Sequence, residues 1–313
     1  MDLKYNVLTK INFFYYKNQQ ALTVLSLYIC SMNINSICVS GAGTMGSGIA
    51  QATASAGFYT ILFDLNDAVL EKAKFSIEKE LQKLIDRNKI TEAEKTKTLN
   101  NLHFTNDLFT CLADIVIEAI IEKAEAKIAL FNQLAEINHS ETVFATNTSS
   151  LSVTEIAKSV KNPERVIGMH FFNPATIMKL VEVVKTDFTN EQTIKLVVDI
   201  TKQLGKTPVL CKDSPGFIVN RVARPFYIES LRLVEEGLAD FATIDSLMES
   251  TGFKMGPFKL MDLIGNDVNY AVSCSVYDQL GKPERFRPSS IQKEKVESGQ
   301  LGRKTKKGYY DYS

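Results

Sequence analysis

A glycine-rich turn between two short apolar segments constrains the fold of this chain more than any other feature. Segment 34–40 leads directly into GAGTMG at 41–46, and small residues then continue in a helical pattern to about residue 56. A second apolar segment, 59–63, ends at Asp64. A strand, a G-x-G-x-x-G turn, a helix and a strand that ends in an acidic residue form a β-α-β unit suited to dinucleotides. The alternative, a glycine-rich turn without a ligand, leaves the acidic residue unexplained.

Each residue type in this unit has a physical task. Gly41 permits the tight turn, Gly43 lets the backbone approach a pyrophosphate, and Gly46 lets the helix pack close to the strand. The first helical turn offers unpaired N–H groups to phosphate oxygens. Asp64 can accept hydrogen bonds from both ribose hydroxyls, and its charge would repel a 2′-phosphate. We therefore predict a Rossmann-type domain that prefers NAD to NADP, with cofactor contacts from Asp64, Gly41, Gly43, Thr44, Met45 and Gly46.

Composition and charge exclude several classes of function. The 313 residues include 36 Lys and Arg against 36 Asp and Glu, a formal net charge of zero, so neither nucleic acid nor an anionic membrane is indicated as a partner. The five cysteines lie far apart, without the spacing of a metal site or a disulfide framework. This pattern favours reduced thiols, no metal and a cytoplasmic location.

Residues 1–31 differ from the rest, with many Asn, Lys, Tyr, Phe and Leu residues and no Gly or Pro. Their most apolar run, 21–30, is shorter than the roughly 20 residues that a membrane-spanning helix needs. They contain no arginine and no small-residue cleavage site, so they make a poor signal sequence. We expect a disordered tail or the product of an upstream translation start, with organelle targeting as the alternative.

Residues 67–105 carry many charges, and their apolar residues recur every three or four positions. This pattern predicts two helices joined by a turn at NKITEAE, with Thr91 as N-cap and Glu94 three residues later. A helical hairpin that projects from the sheet is the expected product. Its lysines and Arg87 could meet a phosphorylated substrate, although a run of charges is usually a solvated face. His103, just beyond the hairpin, is predicted to be structural.

The sheet is predicted to continue after the hairpin. A strand is expected at 115–117, a helix at 123–136 and a second strand at 142–147. Glu118 and Glu122 lie at or just past the first of these strands, where ligands bind in open α/β sheets. Ser152 and Glu155 have the spacing of a capping box, so Ser152 is assigned a structural role. Ser149 remains at the end of the second strand, free to face the cleft.

Two polar residues occupy the next two predicted strands, RVIGMHFFNP and MKLVEVVK. The short connection lets His170 of the first strand and Glu182 of the second come side by side. A lone histidine in such a setting is more often a core residue, but a buried carboxylate without a partner is costly. Pairing resolves that cost and gives a tuned base, because the carboxylate favours imidazolium and fixes which ring nitrogen is free. Asn173 and Ser149 add uncharged donors, and Ser149 lacks the context of a nucleophile elbow.

From residue 34 to its C-terminus the chain resembles the 3-hydroxyacyl-CoA dehydrogenase family, in the short bacterial form that acts on 3-hydroxybutyryl-CoA. The motifs that carry the resemblance are GAGTMGSGIAQ, EAIIE, NTSSL, HFFNPATIMKLVEVV, KDSPGFIVNR and GRKTKKGYYDY. It implies NAD-dependent oxidation of (S)-3-hydroxyacyl-CoA to 3-oxoacyl-CoA, and the reverse reduction. The expected fold is α/β: a doubly wound, mostly parallel Rossmann-type sheet with an inserted helical hairpin, followed by a smaller all-α domain.

The resemblance also implies roles for single residues. His170 removes the proton of the 3-hydroxyl while hydride passes from the carbon that bears this hydroxyl to the nicotinamide, and Glu182 orients His170. Ser149 and Asn173 contact substrate and cofactor. Further positions near the cofactor are filled by Glu122, Lys127 and Lys304. Glu80 lies near a position that holds a small hydroxyl residue in some family members, and Arg87 lies near a basic position, which leaves the CoA contacts open. Lys306 replaces a common glycine and is interpreted as a surface variation.

A Pro-Gly break at 213–216 marks the predicted boundary between an NAD-binding domain, 32–213, and a helical domain, 214–313. In the helical part an apolar stripe is expected from Phe217, Val222, Phe226 and Leu231, and GPFKLMDLIGNDV predicts a turn and one further helix. Asn220 is a candidate substrate contact, although a helical asparagine often only meets solvent. By resemblance, this domain closes the cleft and forms a homodimer interface.

Two other functions are compatible with the scaffold. One is a non-catalytic, NAD-binding structural protein, against which the combination of His170, Glu182, Ser149 and Asn173 argues. The other is a dehydrogenase for free hydroxy acids or sugar derivatives. Enzymes of that kind commonly use a catalytic lysine or cysteine, whereas this chain offers a His–Glu pair.

Overall fold

The computed structural model describes residues 34–313, so the expectations for residues 1–31 lie outside the described residues. Residues 36–313 form one compact unit. Within it, eight strands form a single sheet in the order β3-β2-β1-β4-β5-β6-β7-β8. The strands are β1 (Ser36–Ser40), β2 (Tyr59–Phe63), β3 (Leu102–Thr105), β4 (Ile115–Glu118), β5 (Val143–Thr146), β6 (Val166–Phe171), β7 (Leu180–Lys185) and β8 (Thr207–Lys212).

Every neighbouring pair of strands in this sheet is parallel except β6 and β7, which are antiparallel. The first described strand, β1, lies inside the sheet, with β2 and β3 on one side and β4–β8 on the other, as in doubly wound folds. The helices that accompany the sheet are α1 (Thr44–Ser55), α2 (Asp67–Asp86), α3 (Glu92–Asn100), α4 (Ala124–Ile137), α5 (Val153–Lys158) and α6 (Glu191–Gln203).

The remaining part of the chain is helical. Its helices are α7 (Val219–Glu235), α8 (Phe241–Ser250), α9 (Pro257–Ile264), α10 (Asn266–Gln279) and α11 (Ser290–Glu297). Aromatic and aliphatic side chains of these helices and of the C-terminal segment form a separate core that includes Tyr227, Leu231, Phe258, Met261 and Tyr309. The predicted fold class, a mostly parallel sheet followed by a smaller helical domain, is therefore confirmed. No helix within residues 34–313 is long and apolar enough to cross a membrane.

The core beneath one face of the sheet is filled by alternate strand residues and by α4 and α5. It includes Cys38, Ile61, Val116, Phe144 and Val166 from the strands and Phe131, Leu134 and Ile156 from the helices. These central strands are buried on both faces, which explains why they are near-continuous apolar runs rather than alternating ones.

The predicted helical hairpin is confirmed as α2 and α3. Asn66 caps α2 by accepting a hydrogen bond from Ala68 N at 2.9 Å. Thr91 and Glu94 form a reciprocal capping box at the start of α3, as their spacing predicts.

Several details differ from the prediction. LHFT forms the edge strand β3, in which the ring of His103 stacks on Tyr59 at a centroid distance of 4.1 Å. The strand β8 was not predicted. Two helices, α9 and α10, replace the single helix expected near Gly265, because this residue has a φ of +103° and interrupts the helix. The apolar stripe is also wrong at Val222, which is 72% exposed, since α7 buries the opposite face, on which Tyr227 and Leu231 lie.

Candidate active site

The turn between β1 and α1 depends on glycines at defined points. Gly41 has a φ of +104°, and a Cβ there would lie 2.6 Å from the carbonyl oxygen of Ala119. A Cβ on Gly46 would lie 1.7 Å from the carbonyl oxygen of Gly41, so glycine lets α1 begin close against the strand. A Cβ on Gly43 would meet no atom within 4 Å. The backbone at Gly43 is therefore open to a ligand.

The helix α1 begins at this turn without a side-chain cap. Gly43 is its N-cap residue, Thr44 and Met45 are its first residues, and no acidic residue stands in its first turn. Unpaired N–H groups and the positive end of the helix dipole favour an anion at this point. A pyrophosphate is the group that such a turn binds in dinucleotide-binding folds.

Asp64 lies at the end of β2, beside the glycine turn. Its Oδ2 accepts a hydrogen bond from Ala42 N at 2.8 Å, and its Oδ1 accepts one from Asn66 N at 3.0 Å. These bonds fix the carboxylate at the wall of a cavity of about 620 Å³, whose lining includes Gly41, Gly43, Leu65, Ile120 and Ile121. An open glycine turn, an uncapped helix and a fixed carboxylate around one cavity fit an adenine dinucleotide.

Lys127 of α4 is buried between two carboxylates. Its Nζ lies 2.6 Å from Glu118 Oε1 and 3.1 Å from Glu122 Oε2. Burial raises the pKa of Glu118 above its ordinary value and outweighs the opposing effect of Lys127. Burial also acts upward on the pKa of Glu122, but Lys127, Thr148 and Ser150 hold it below its ordinary value. Lys127, whose side chain is 1% exposed, therefore orders this side of the site through the two glutamates.

Glu122 in turn fixes the segment that follows β5. Its Oε1 accepts hydrogen bonds from Ser149 N at 3.1 Å, from Ser150 N at 3.2 Å and from Ser150 Oγ at 2.8 Å. It also accepts one from the hydroxyl of Thr148. Ser149 is thus held by its backbone at the carboxyl end of β5, with a side chain that is half-buried. Glu122 and Ser149, predicted from different motifs, belong to one cluster.

His170 and Glu182 occupy directly paired positions on β6 and β7. His170 Nδ1 and Glu182 Oε2 are 2.7 Å apart, and the two side chains are 7% and 1% exposed. An ionised carboxylate only accepts hydrogen bonds, so Nδ1 carries the proton and Nε2 is the basic nitrogen of the neutral ring. The structure brings together the two residues that the sequence pattern paired.

The N-cap residue of α7, Ile218, and the first residue of this helix, Val219, supply the other hydrogen bonds of Glu182. Its Oε1 accepts from Ile218 N and from Val219 N, each at 2.9 Å. Burial acts upward on the pKa of Glu182, but the hydrogen bond from His170 and these two N–H groups outweigh it and hold the pKa below its ordinary value. Glu182 therefore stays an ionised acceptor. Nothing in the sequence pointed to these donors, because backbone groups have no residue signature.

Asn173 lies on the exposed loop 173–179 between β6 and β7. With Pro174 and Thr176 it lines a groove of about 510 Å³, which also contacts α1 and α2. The buried Lys206 binds the backbone of this loop. Its Nζ donates to Ala175 O at 2.5 Å and to Met178 O at 2.8 Å. Sequence reasoning missed Lys206, because a lysine beside a glycine at the end of a helix is typical of an exposed turn.

Three other predicted site residues lie outside this cluster. Arg87 is exposed at the C-terminal end of α2, beyond the part of that helix that lines the groove. Asn220 lies in the first turn of α7, half-buried. Lys304 Nζ pairs with Asp267 at 2.6 Å, at the start of α10, whereas Gln279 at the other end of α10 donates to Ser150 O. Those two ends are separated by about 18 Å along the helix, so the role of Lys304 at the cofactor stays a prediction.

Two family models match the chain. Residues 36–214 match "3-hydroxyacyl-CoA dehydrogenase, NAD binding domain", and residues 216–312 match "3-hydroxyacyl-CoA dehydrogenase, C-terminal domain". Together they cover nearly all of the described residues. They meet within the Pro-Gly break at which the sequence placed a domain boundary.

Curated relatives and solved structures agree with these matches. The chain is 46% identical to "3-hydroxyadipyl-CoA dehydrogenase" of Escherichia coli K12, over 90% of its own length and 60% of the relative's. It is 39% identical to the mitochondrial hydroxyacyl-coenzyme A dehydrogenase of Sus scrofa, over 89% of its own length and 91% of the relative's. The structure of (S)-3-hydroxybutyryl-CoA dehydrogenase from Ralstonia eutropha matches with a TM-score of 0.86 and 38% identity, over 90% of this chain and all of that one.

Proposed function

The chain belongs to the 3-hydroxyacyl-CoA dehydrogenase family, and we propose that it catalyses the NAD-dependent oxidation of (S)-3-hydroxyacyl-CoA to 3-oxoacyl-CoA and the reverse reduction. 3-Hydroxybutyryl-CoA is the proposed substrate. The observation that carries the proposal is the buried 2.7 Å hydrogen bond between His170 and Glu182, on the same sheet as the glycine turn. A base of this kind has no use in a protein that only binds a nucleotide.

The residues of the chain divide the work as follows. His170 Nε2 accepts the proton of the 3-hydroxyl, and Glu182 stabilises the resulting imidazolium. General base catalysis of this kind contributes about a hundred- to ten-thousandfold in rate. NAD supplies the hydride acceptor when it is bound. Ser149 and Asn173 hold the substrate oxygen beside the imidazole. The proposed cofactor site consists of Gly41, Gly43, Thr44, Met45, Gly46, Asp64, Glu122, Lys127, Ser149, Asn173 and Lys304, and further substrate contacts are Asn220 and Arg87.

A second candidate substrate is an acyl chain that ends in a carboxylate. The 46% identity to a relative named 3-hydroxyadipyl-CoA dehydrogenase favours it. The chemistry at the 3-hydroxyl is the same for both substrates, so only the far end of the acyl chain distinguishes them.

The proposal is tested by steady-state oxidation of NADH with acetoacetyl-CoA, with free acetoacetate as the control. Turnover of the thioester alone establishes the reaction and the recognition of CoA. A parallel assay with 3-oxoadipyl-CoA compares the two acyl chains by their kcat/KM. If NADH binds but neither thioester is reduced, the function is wrong and a non-catalytic NAD-binding protein replaces it.

Assembly and location are further proposals. We propose a homodimer formed through the helical domain, 214–313, because this part of the chain exposes a set of large apolar side chains: Val222, Leu238, Leu247, Phe253, Leu263 and Val268. Light scattering coupled to size-exclusion chromatography tests it, and a mass of one chain would exclude it. We also propose a cytoplasmic location, for which the four free thiols in the described part of the chain are support.

A further inference from the structure

The turn that joins the sheet to α7 has an unusual backbone. In this linking turn, residues 216–219, Gly216 and Phe217 have positive φ values of +73° and +47°. The other non-glycine residues with positive φ in the described chain are Asn and Lys, whereas Phe217 is bulky and 4% exposed. A left-handed conformation is unfavourable for such a residue, and it persists only where its surroundings hold it in place.

The backbone of the linking turn is directed at Glu182. The N–H groups of Ile218 and Val219, which follow the two left-handed residues, both donate to Glu182 Oε1 at 2.9 Å. Consecutive N–H groups at the start of a helix form a concave site for an anion. A glycine is needed at 216, because a Cβ there would lie 2.8 Å from Val276 Cγ2. The start of the helical part thus supplies both donors to Glu182 Oε1, whereas His170 binds Oε2.

The side chain of Phe217 is directed at the other member of the pair. Its ring lies edge-on to the imidazole of His170, with centroids 5.6 Å apart, and Phe172 contacts the same imidazole at 4.6 Å. Phe217 also packs with Val153 and Val184 in a small buried cluster. One residue therefore contacts the histidine through its ring and sets the path of the backbone that binds the glutamate.

We propose that Phe217 is a positioning residue for the His170–Glu182 pair. Its ring fixes the plane of the imidazole, so that Nε2 faces the substrate, and its left-handed backbone places two N–H groups on Glu182. The helical domain thereby completes the base and does more than cover the cleft. This inference rests on the proposed dehydrogenase function, and its test includes a measurement that does not need activity.

The kinetic test compares Phe217→Leu with Phe226→Leu. Phe226 is a matched control, because it lies on α7 and stacks on Phe253 at 4.9 Å, away from the pair. We expect Phe217→Leu to lower kcat about tenfold or more, since part of the contribution of the general base is lost. The KM values for NADH and acetoacetyl-CoA should change less than about twofold. The control should keep kcat and lose only thermal stability.

The spectroscopic test uses the small number of histidines. The chain contains three, so labelling with ¹⁵N-histidine allows the Nδ1 proton of His170 to be observed and assigned with a His170→Gln variant. In the parent protein and in Phe226→Leu this proton should give a sharp signal displaced by the short hydrogen bond to Glu182. In Phe217→Leu the signal should broaden or move, because the ring that holds the imidazole is gone.

The outcomes distinguish a failure of the proposed dehydrogenase function from a failure of the positioning role of Phe217. If the parent reduces no acetoacetyl-CoA, the proposed function is wrong, while the His170 signal still reports on positioning. If Phe217→Leu is folded and keeps both the parental kcat and the parental signal, Phe217 has no positioning role. Should that variant not fold, Phe217→Met, which keeps an unbranched apolar side chain of similar size, is judged by the same two measurements.

Discussion

At the scale of the residue, the pKa values of two buried glutamates, Glu118 and Glu182, are shifted in opposite directions. Burial dominates at Glu118 and raises its pKa, although Lys127 lies 2.6 Å away. At Glu182 the sum of the hydrogen bond from His170 and the two backbone N–H groups exceeds the effect of burial, and the pKa falls. Glu118 also has three donors, Lys127 Nζ, Thr146 Oγ1 and Ile120 N, so the balance between burial and hydrogen bonding, and not the number of donors, sets the direction in which each pKa moves. At Glu182 this balance favours the ionised form, which suits a carboxylate paired with a histidine.

His170→Ala should lower kcat by about a hundredfold or more, because it removes the proposed general base. The Kd for NADH should stay nearly unchanged, since the glycine turn and Asp64 do not contact His170. Stopped-flow or steady-state assays with acetoacetyl-CoA measure the first quantity, and titration calorimetry the second. Unchanged turnover would exclude His170 as the base.

Acid should weaken the folded state in part through Glu182. Its pKa is lowered in the folded chain, so this contribution is fully present above the unfolded value of about 4.3 and is lost as the pH falls through the folded value. The free energy of unfolding of the parent protein should therefore fall more steeply below about pH 5 than that of Glu182→Gln. Urea unfolding at a series of pH values checks this, and parallel curves for the two proteins would contradict it.

Asp64→Ser should erode the preference for NADH over NADPH. The substitution removes a charge that would repel the 2′-phosphate, and a tenfold change in the ratio of kcat/KM values corresponds to about 1.4 kcal/mol. Asp67→Ser, a few residues later at the start of α2, is the control and should leave the ratio unchanged. A parent protein that already prefers NADPH would overturn the interpretation of Asp64.

At the scale of the element, the loop 173–179 depends on a buried ammonium group. Lys206 is 8% exposed, its pKa is lowered by burial, and its Nζ bonds two carbonyl oxygens of the loop. Hydrogen bonds of a charged donor contribute about 1.5–3 kcal/mol each. The loop carries Asn173 and lines the groove beside α1 and α2, so its conformation bears on the proposed substrate contact of Asn173.

Lys206→Met should therefore raise the KM for acetoacetyl-CoA by about tenfold, the equivalent of roughly 1.4 kcal/mol, and should raise the KM for NADH less, because most of the proposed cofactor contacts lie outside this loop. Lys179→Met is the matched control, because this exposed lysine donates to Gly205 O at 3.3 Å and, within residues 34–313, its side chain donates to no carbonyl of the loop. Equal effects of both variants on the two KM values would show that Lys206 has no specific influence on the loop.

Elements with a strong local pattern were predictable from the sequence. The β-α-β unit, the helical hairpin and the His–Glu pair each follow from periodicity or from residue types at fixed spacing. The strand β3 was missed because LHFT is short and follows a helix directly. The strand β8 was missed because TPVLCK includes a proline and half-exposed residues. Both lie at the two edges of the sheet, where the pattern is weakest.

Within the candidate site, side chains were easier to predict than backbone groups. The pairing of His170 with Glu182 follows from the cost of burying a carboxylate alone. The N–H donors of Ile218 and Val219 do not, because any residue supplies them and only the fold decides where they point. The buried contact of Lys206 depends in the same way on tertiary structure.

At the scale of the whole molecule, the sheet and the helical part meet around the candidate site. Asp213 accepts hydrogen bonds from Ser152 Oγ at 2.7 Å and from Thr154 N at 2.8 Å, just before the linking turn. Ser150 O accepts one from Gln279 of α10 at 2.6 Å. Residues 36–313 form one compact unit with contacts across its two parts, so we expect NADH bound at the sheet to stabilise the helical part as well.

NADH at a hundred times its Kd should therefore raise the free energy of unfolding by about 2.7 kcal/mol, and the gain should appear in both parts. Hydrogen exchange resolved by peptide measures protection in β1–β8 and in α7–α11 separately. Protection confined to the sheet, with the helices unchanged, would show that the helical part unfolds independently.

The antiparallel step between β6 and β7 also has a consequence for the order in which the molecule assembles. His170 and Glu182 are 12 residues apart and share a simple strand–loop–strand unit, whereas the N–H donors of α7 lie 36 and 37 residues beyond Glu182. Contacts between near neighbours require less loop closure and form sooner than distant ones. We therefore expect the contact between His170 and Glu182 to form early in folding, and the hydrogen bonds from Ile218 and Val219 to form later. During refolding, the recovery of turnover should then lag behind the recovery of strand structure.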